Sequence, residues 1–243
     1  MARRENGFTI IETTLVLAIT GLIVAVILAG IGNSLSHQRY TDAVSQALDF
    51  FRGQYATTAS VVNDRPATQD CTISGITTPP TGKIAGASDC LLLGKLLRSS
   101  DGETITAYQV IATVDPSDTT GAADMSDVAL LQAAQLRQGN LVNSYNLEWG
   151  TRLLSPGSAN PAKFSLLVVR TPVTGAIRTY SATTDTASIA SLLATSPASQ
   201  ADLRLCIDQT GFFGLGVQSM GIAVSKDATN TTGVQTIAAG ECV

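Results

Sequence analysis

Gly7-Phe8-Thr9-Ile10-Ile11-Glu12, with the apolar run that follows it, decides how this chain is read. From Thr13 to Gly32, twenty residues, there is no charged side chain. At 1.5 Å per residue such a helix is about 30 Å long, the thickness of a bilayer's hydrocarbon core. Eleven of the twenty are Leu, Ile or Val, which on an insertion scale favour the membrane by roughly 3–6 kcal/mol in total. Arg3 and Arg4 precede the run, and basic flanks stay on the cytoplasmic side. Residues alone therefore predict a helix that crosses a membrane once, N-terminus inside. They leave Glu12 unexplained, because a carboxylate drawn to the bilayer centre costs about 2.5–3.5 kcal/mol and needs a partner or a task.

An ordinary secretory signal carries a shorter apolar stretch with a small-residue cleavage site at its far end. Here the order differs: a short basic leader, Met1 to Gly7, then Phe8, then Glu12, then the run. This arrangement resembles the class III signal of the type IV pilin and pseudopilin family. The resemblance implies cleavage by a prepilin peptidase between Gly7 and Phe8, methylation of the new N-terminus at Phe8, and an assembly role for Glu12 as the fifth mature residue. In that family the acid is thought to meet the terminal amine of a neighbouring subunit, an ion pair suited to setting register.

The family also implies a fold class, α+β: a long N-terminal helical spine, half membrane-spanning and half amphipathic, packed on an antiparallel β-sheet domain. The expected divisions are a leader over 1–7, a helix over 8–62 with 13–32 as membrane or filament-core segment, and an extracytoplasmic domain over 63–243. Many type IV pilins carry a helix-bending proline in the apolar segment; this chain has no proline before Pro66. Gly21, Gly30 and Gly32 are weak points of the helix, each about 1 kcal/mol worse than Ala. Beyond them Tyr40, Val44, Ala47, Leu48, Phe51, Tyr55 and Val62 recur at steps of three and four, one apolar helix face. Asp42, Gln46, Asp49, Arg52 and Gln54 are expected mostly on the other faces. Asp64-Arg65-Pro66 should end the helix.

The chain has 243 residues and a formal charge of −4. No Lys/Arg cluster offers a nucleic-acid surface, so no nucleic acid is expected. Four cysteines, Cys71, Cys90, Cys206 and Cys242, lie on the translocated side, where disulfides form; four allow three connectivities. Pairing near neighbours gives Cys71–Cys90 and Cys206–Cys242, and a C-terminal loop closed in this way resembles the D-region of pilins. Cys-x-x-Cys is missing and His37 is the one histidine, so neither zinc nor histidine-based catalysis is expected. His37, near Arg39, reads as an interfacial polar residue. No P-loop occurs, so the chain is not a motor ATPase. We expect no enzyme, no cofactor and no metal.

Residues 63–90 form a loop; Leu91 to Leu97 is buried and of ambiguous type. Ile105 to Val114 is a strand. Residues 115–127 hold four aspartates. Their spacing is not that of an EF-hand, and a polar turn capped by Ser126 or Asp124 explains them. A short helix is expected over 127–138 and a strand over Leu141–Trp149. Lys163–Arg170 and Ala176–Ser181 should form a hairpin across Pro172-Val173-Thr174-Gly175. A helix is expected over Asp185–Ala194, and strands over Leu203–Asp208, Val217–Ser225 and Val234–Ala238. Gly211 to Gly216 reads as a turn, and Asn230-Thr231-Thr232 is a glycosylation sequon.

The resemblance implies a structural subunit of a type IV pilus or pilus-like filament, a minor pilin by size. Its partners would be other pilin subunits, the prepilin peptidase, the membrane assembly platform and lipid. It would sit in the cytoplasmic membrane before assembly and in a cell-surface fimbrium afterwards. The alternatives are a type II secretion pseudopilin, or a signal-anchored ectodomain that binds a ligand.

Overall fold

The computed structural model describes residues 9–61, 70–72, 75–77, 91–112, 125–195, 199–208 and 220–242. In chain order the elements are α1 (Ile10–Ala59), β1 (Asp70–Thr72), β2 (Gly75–Thr77), β3 (Leu91–Ser99), β4 (Thr104–Ala112), α2 (Asp127–Ala133) and β5 (Leu136–Asn146). Then come β6 (Leu153–Leu154), β7 (Phe164–Arg170), β8 (Ile177–Ala182), α3 (Ile189–Ala194), β9 (Leu203–Ile207), β10 (Gly221–Val224) and β11 (Val234–Ile237). The fold class is α+β, a long N-terminal helix packed on antiparallel sheets.

Helix α1 runs 50 residues, about 75 Å, and its assigned span passes through Gly21, Gly30 and Gly32. Two different environments hold it. From Tyr40 onward one face is buried: Tyr40, Val44, Ala47, Phe51 and Tyr55 all enter the core. Before Tyr40 no side chain among the described residues is buried. The expected face is present, widened by Ala43 and Thr58, which are also buried, and by two polar side chains expected elsewhere. Gln54, expected on an outer face, is buried, and Arg52 is half-buried with Nε and Nη2 donating to the Val234 carbonyl at 3.2 and 3.0 Å. A face three residues per turn wide admits the aliphatic stems of its neighbours, so polar ends at its margin find backbone partners.

The larger sheet has the order β5-β4-β3-β7-β8, and the smaller β11-β10-β9-β6, all neighbours antiparallel. Strand β7 explains the layering. Phe164, Leu166 and Val168 face the cluster shared with α1 and the smaller sheet, whereas Leu167 and Val169 face a second cluster holding Leu131, Ile189 and Leu192. Both faces of the larger sheet are thus covered, α1 on one and α2 with α3 on the other. That is why Leu166 to Val169 reads as an uninterrupted apolar run rather than an alternating one. Leu91–Leu97, ambiguous in sequence, is most of β3 and central for the same reason.

Residues 63–90, expected as a loop, include the antiparallel pair β1 and β2, and three element boundaries also differ from expectation. Helix α2 ends at Ala133 because Gln135 takes a left-handed backbone (φ 48°), so residues 136–138 begin β5 rather than extend the helix. The expected Leu141–Trp149 strand instead starts at Leu136 and stops at Asn146, giving way to a tight turn. Helix α3 starts at Ile189, not Asp185, because Ser188 caps it: its hydroxyl accepts from the Ser191 N–H at 3.1 Å. Ser126 does the same for α2, accepting from Ala129 N–H. The 163–181 hairpin forms with β7 paired to β8.

Cys206 and Cys242 are joined by a disulfide across 36 residues, Cα atoms 5.6 Å apart. Cys71 lies in β1, and its expected partner Cys90 lies outside the described residues. So do the leader 1–7, Phe8, Val62 and the helix stop at Asp64-Arg65-Pro66, Asp115, Asp118 and Asp124, and the Gly211–Gly216 turn.

Candidate functional site

The helix start is built locally. Thr9 is the N-cap, its Oγ1 accepting from the Glu12 N–H at 3.3 Å. Glu12 is therefore the third residue of the first turn, where the positive end of the helix dipole favours a carboxylate. Thr9 and Glu12 have the spacing of a capping box. The pattern, a threonine three residues before an acid, is visible in the sequence. It supplies Glu12 with a local role that needs no second subunit.

Behind it the helix is apolar on every side and uncovered: Ile10 is 82 % exposed and Leu22 is 68 % exposed. This is the one helix among the described residues that is long and apolar enough to cross a membrane. Its polar atoms are already satisfied. The hydroxyls of Thr13, Thr14 and Thr20 donate to the carbonyls of Ile10, Ile11 and Val16 at 2.9, 3.0 and 2.8 Å. Back-bonded hydroxyls enter an apolar phase without the penalty of an unpaired donor. Glu12 is then the one charged side chain between Ile10 and Gly32.

Polar bolts fasten α1 to the domain. The Tyr40 hydroxyl accepts from the Met220 N–H at 2.7 Å and donates to the Ile207 carbonyl at 3.1 Å. The Thr179 hydroxyl lies 2.6 Å from the Ala228 carbonyl, to which it donates, and 2.8 Å from the Tyr55 hydroxyl. Because Thr179 has one proton, Tyr55 must be the donor to it. Burial pushes both phenols up from their ordinary range, most strongly Tyr55, so both stay neutral donors across physiological pH. The apolar spacing places these tyrosines in the core, but nothing in it discloses the carbonyl and the hydroxyl they reach.

Among the described residues no group of three His, Cys, Asp or Glu side chains is placed to hold a metal. Asp127, last of the four aspartates, instead pairs with Arg178 Nη2 at 2.8 Å and accepts from Thr174. The sequon residue Asn230 accepts from the Thr232 N–H at 2.9 Å, an Asx turn at the surface. Comparison with family models, curated proteins and solved structures found no match.

Proposed function

We propose that the chain is a structural subunit of a type IV pilus or a pilus-like filament, a minor pilin, assembled through its N-terminal helix. One observation carries the reading: a single continuous helix is bare and apolar over its first half and bolted into a folded domain over its second. Together with Gly7-Phe8-Thr9-Ile10-Ile11-Glu12, that division suits a subunit whose helix rests in lipid and then exchanges lipid for the helices of its neighbours. Apolar surface stays out of water in both places, so transfer need not carry the full cost of extraction.

In this reading prepilin peptidase cuts after Gly7, Phe8 is methylated, and the cytoplasmic N-terminus is presented to the assembly platform. Glu12 helps to set subunit register. The capped position of Glu12 favours a second reading, a signal-anchored ectodomain in which the acid serves only its own helix; a type II secretion pseudopilin is the related alternative.

Mass spectrometry of the native N-terminus separates the classes. A methylated Phe8 is expected; a chain starting at Met1 or Ala2 overturns the filament reading. The variant Glu12→Val should insert into membranes as before and fall out of sheared filaments, whereas wild-type incorporation would assign Glu12 to helix capping alone.

A further inference from the structure

The edge strand β5 of the larger sheet leads to an exposed aromatic side chain, Trp149. Tyr145, near the end of β5, stacks on Phe50 of α1, ring centroids 5.1 Å apart. Next, Glu148 accepts from Gln46 Nε2 at 3.3 Å. Then Trp149 receives the Arg39 guanidinium, whose Cζ lies 4.9 Å from the ring centroid. The partners fall from 50 to 46 to 39 along α1, so the chain descends about 16 Å toward the apolar end of the helix. It turns back there: Thr151, buried, returns its N–H and its hydroxyl to the Glu148 carbonyl at 3.1 and 2.8 Å.

At the lowest point Trp149 adopts a left-handed backbone, φ 59° and ψ 22°. For so bulky a residue this is an outlier, and such strain, about 1–3 kcal/mol, gathers where a side chain is held for a purpose. The purpose is not packing, since the ring is half exposed.

We propose that Trp149 and Arg39 form a lipid-headgroup contact that seats the domain on the bilayer surface. The proposal rests on Ile10–Gly32 being a membrane segment. Ile27, Ile31 and Leu35 are exposed, and at steps of four they form a stripe that Arg39 continues. Arg39 lies seven residues past Gly32, about 10 Å above the hydrocarbon edge, where the interfacial layer is roughly 5–8 Å deep. Helical side chains lean toward the N-terminus, here toward the membrane, so the guanidinium reaches headgroup phosphates by snorkelling. Indole rings sit at the same headgroup level. Of the acids close by in the chain, Glu148 is drawn to Gln46, up the helix, and Asp42 stands three residues farther from the bilayer than Arg39. The same surface could not be read from sequence, because Trp149 and Arg39 are separated by 110 residues of chain.

Trp149 is the protein's one tryptophan, so its fluorescence reports this site alone. The full-length chain is reconstituted in phosphatidylcholine vesicles, with and without phosphatidylglycerol, and insertion is verified by flotation. The expected result is a blue-shifted emission, loss of quenching by aqueous acrylamide, and stronger quenching by nitroxides placed shallow in the lipid than by deep ones. The variant Arg39→Gln should shift the emission back to the red and weaken shallow quenching, with unchanged circular dichroism. Protein that floats with vesicles while Trp149 stays open to acrylamide and unaffected by lipid quenchers overturns the proposal and leaves the membrane reading standing. Protection that follows the protein-to-lipid ratio instead of the lipid quencher assigns the surface to a second copy of the chain, and also overturns it. Failure to float overturns the membrane reading, and the headgroup contact with it.

Discussion

At the scale of single residues, two side chains show how polar groups place an apolar helix. Tyr40 satisfies one backbone donor and one acceptor at the junction of β9 and β10. Removing its hydroxyl leaves the Met220 N–H without that acceptor, so Tyr40→Phe should lower stability by about 1–3 kcal/mol, measurable by urea denaturation. Asp127 acts at the surface. The Arg178 guanidinium, helped by Thr174, holds its carboxyl below the usual range against the opposing effect of partial burial. A depressed value in the folded state means that the unfolded chain binds the proton more readily. The contribution is therefore complete at neutral pH, and it is lost as pH falls below about 4 and through the folded value. Asp127→Asn should lose up to about 1 kcal/mol at pH 7 and show a flatter acid limb in pH-dependent unfolding.

Among the elements, β3 has the least freedom. A Cβ on Gly94 would stand 2.1 Å from the Val168 carbonyl oxygen and 2.8 Å from the Val169 Cα. Both are backbone atoms of the neighbouring strand, and Gly94 lies at a register shift in the β3–β4 pairing. Neither strand can withdraw, since β3 is hydrogen-bonded on both sides. Gly94→Ala should cost about 1–3 kcal/mol or more, seen as a lowered melting temperature with intact secondary structure. By contrast Gly21, Gly30 and Gly32 have no atom near a would-be Cβ. Their replacement by Ala should leave the isolated domain unaffected, and their small size matters only where another helix comes close.

At the scale of the whole molecule, the folded core uses only the second half of α1. The core begins at Tyr40, and the apolar residues up to Leu35 contribute nothing to it. A fragment beginning at Asn33 should therefore stay monomeric and melt within a few degrees of the full chain, as judged by sedimentation and circular dichroism. A collapse of the fold on truncation would show that the bare half supports the domain after all. The Cys206–Cys242 link ties the C-terminus back to β9 across a 36-residue separation, so its reduction should cost about 3–4 kcal/mol.

What the amino-acid order determined by itself was whatever is local or periodic. An uncharged run announces a membrane-length helix, steps of three and four announce its buried face, and Ser126 and the 172–175 turn announce a helix start and a hairpin. The α+β class is what the resemblance carried by Gly7-Phe8-Thr9-Ile10-Ile11-Glu12 implies, and these patterns agree with it. Only the tertiary structure decided what depends on residues distant in sequence meeting in space. It made Leu91–Leu97 a central strand by covering both its faces. It turned the end of β5 at Trp149 and set that ring under Arg39. It gave Tyr40 and Tyr55 their carbonyl and hydroxyl partners. Periodicity reports that a side chain leaves water, because burial is a property of the face; it cannot report which atom is waiting there, because that is a property of the packing.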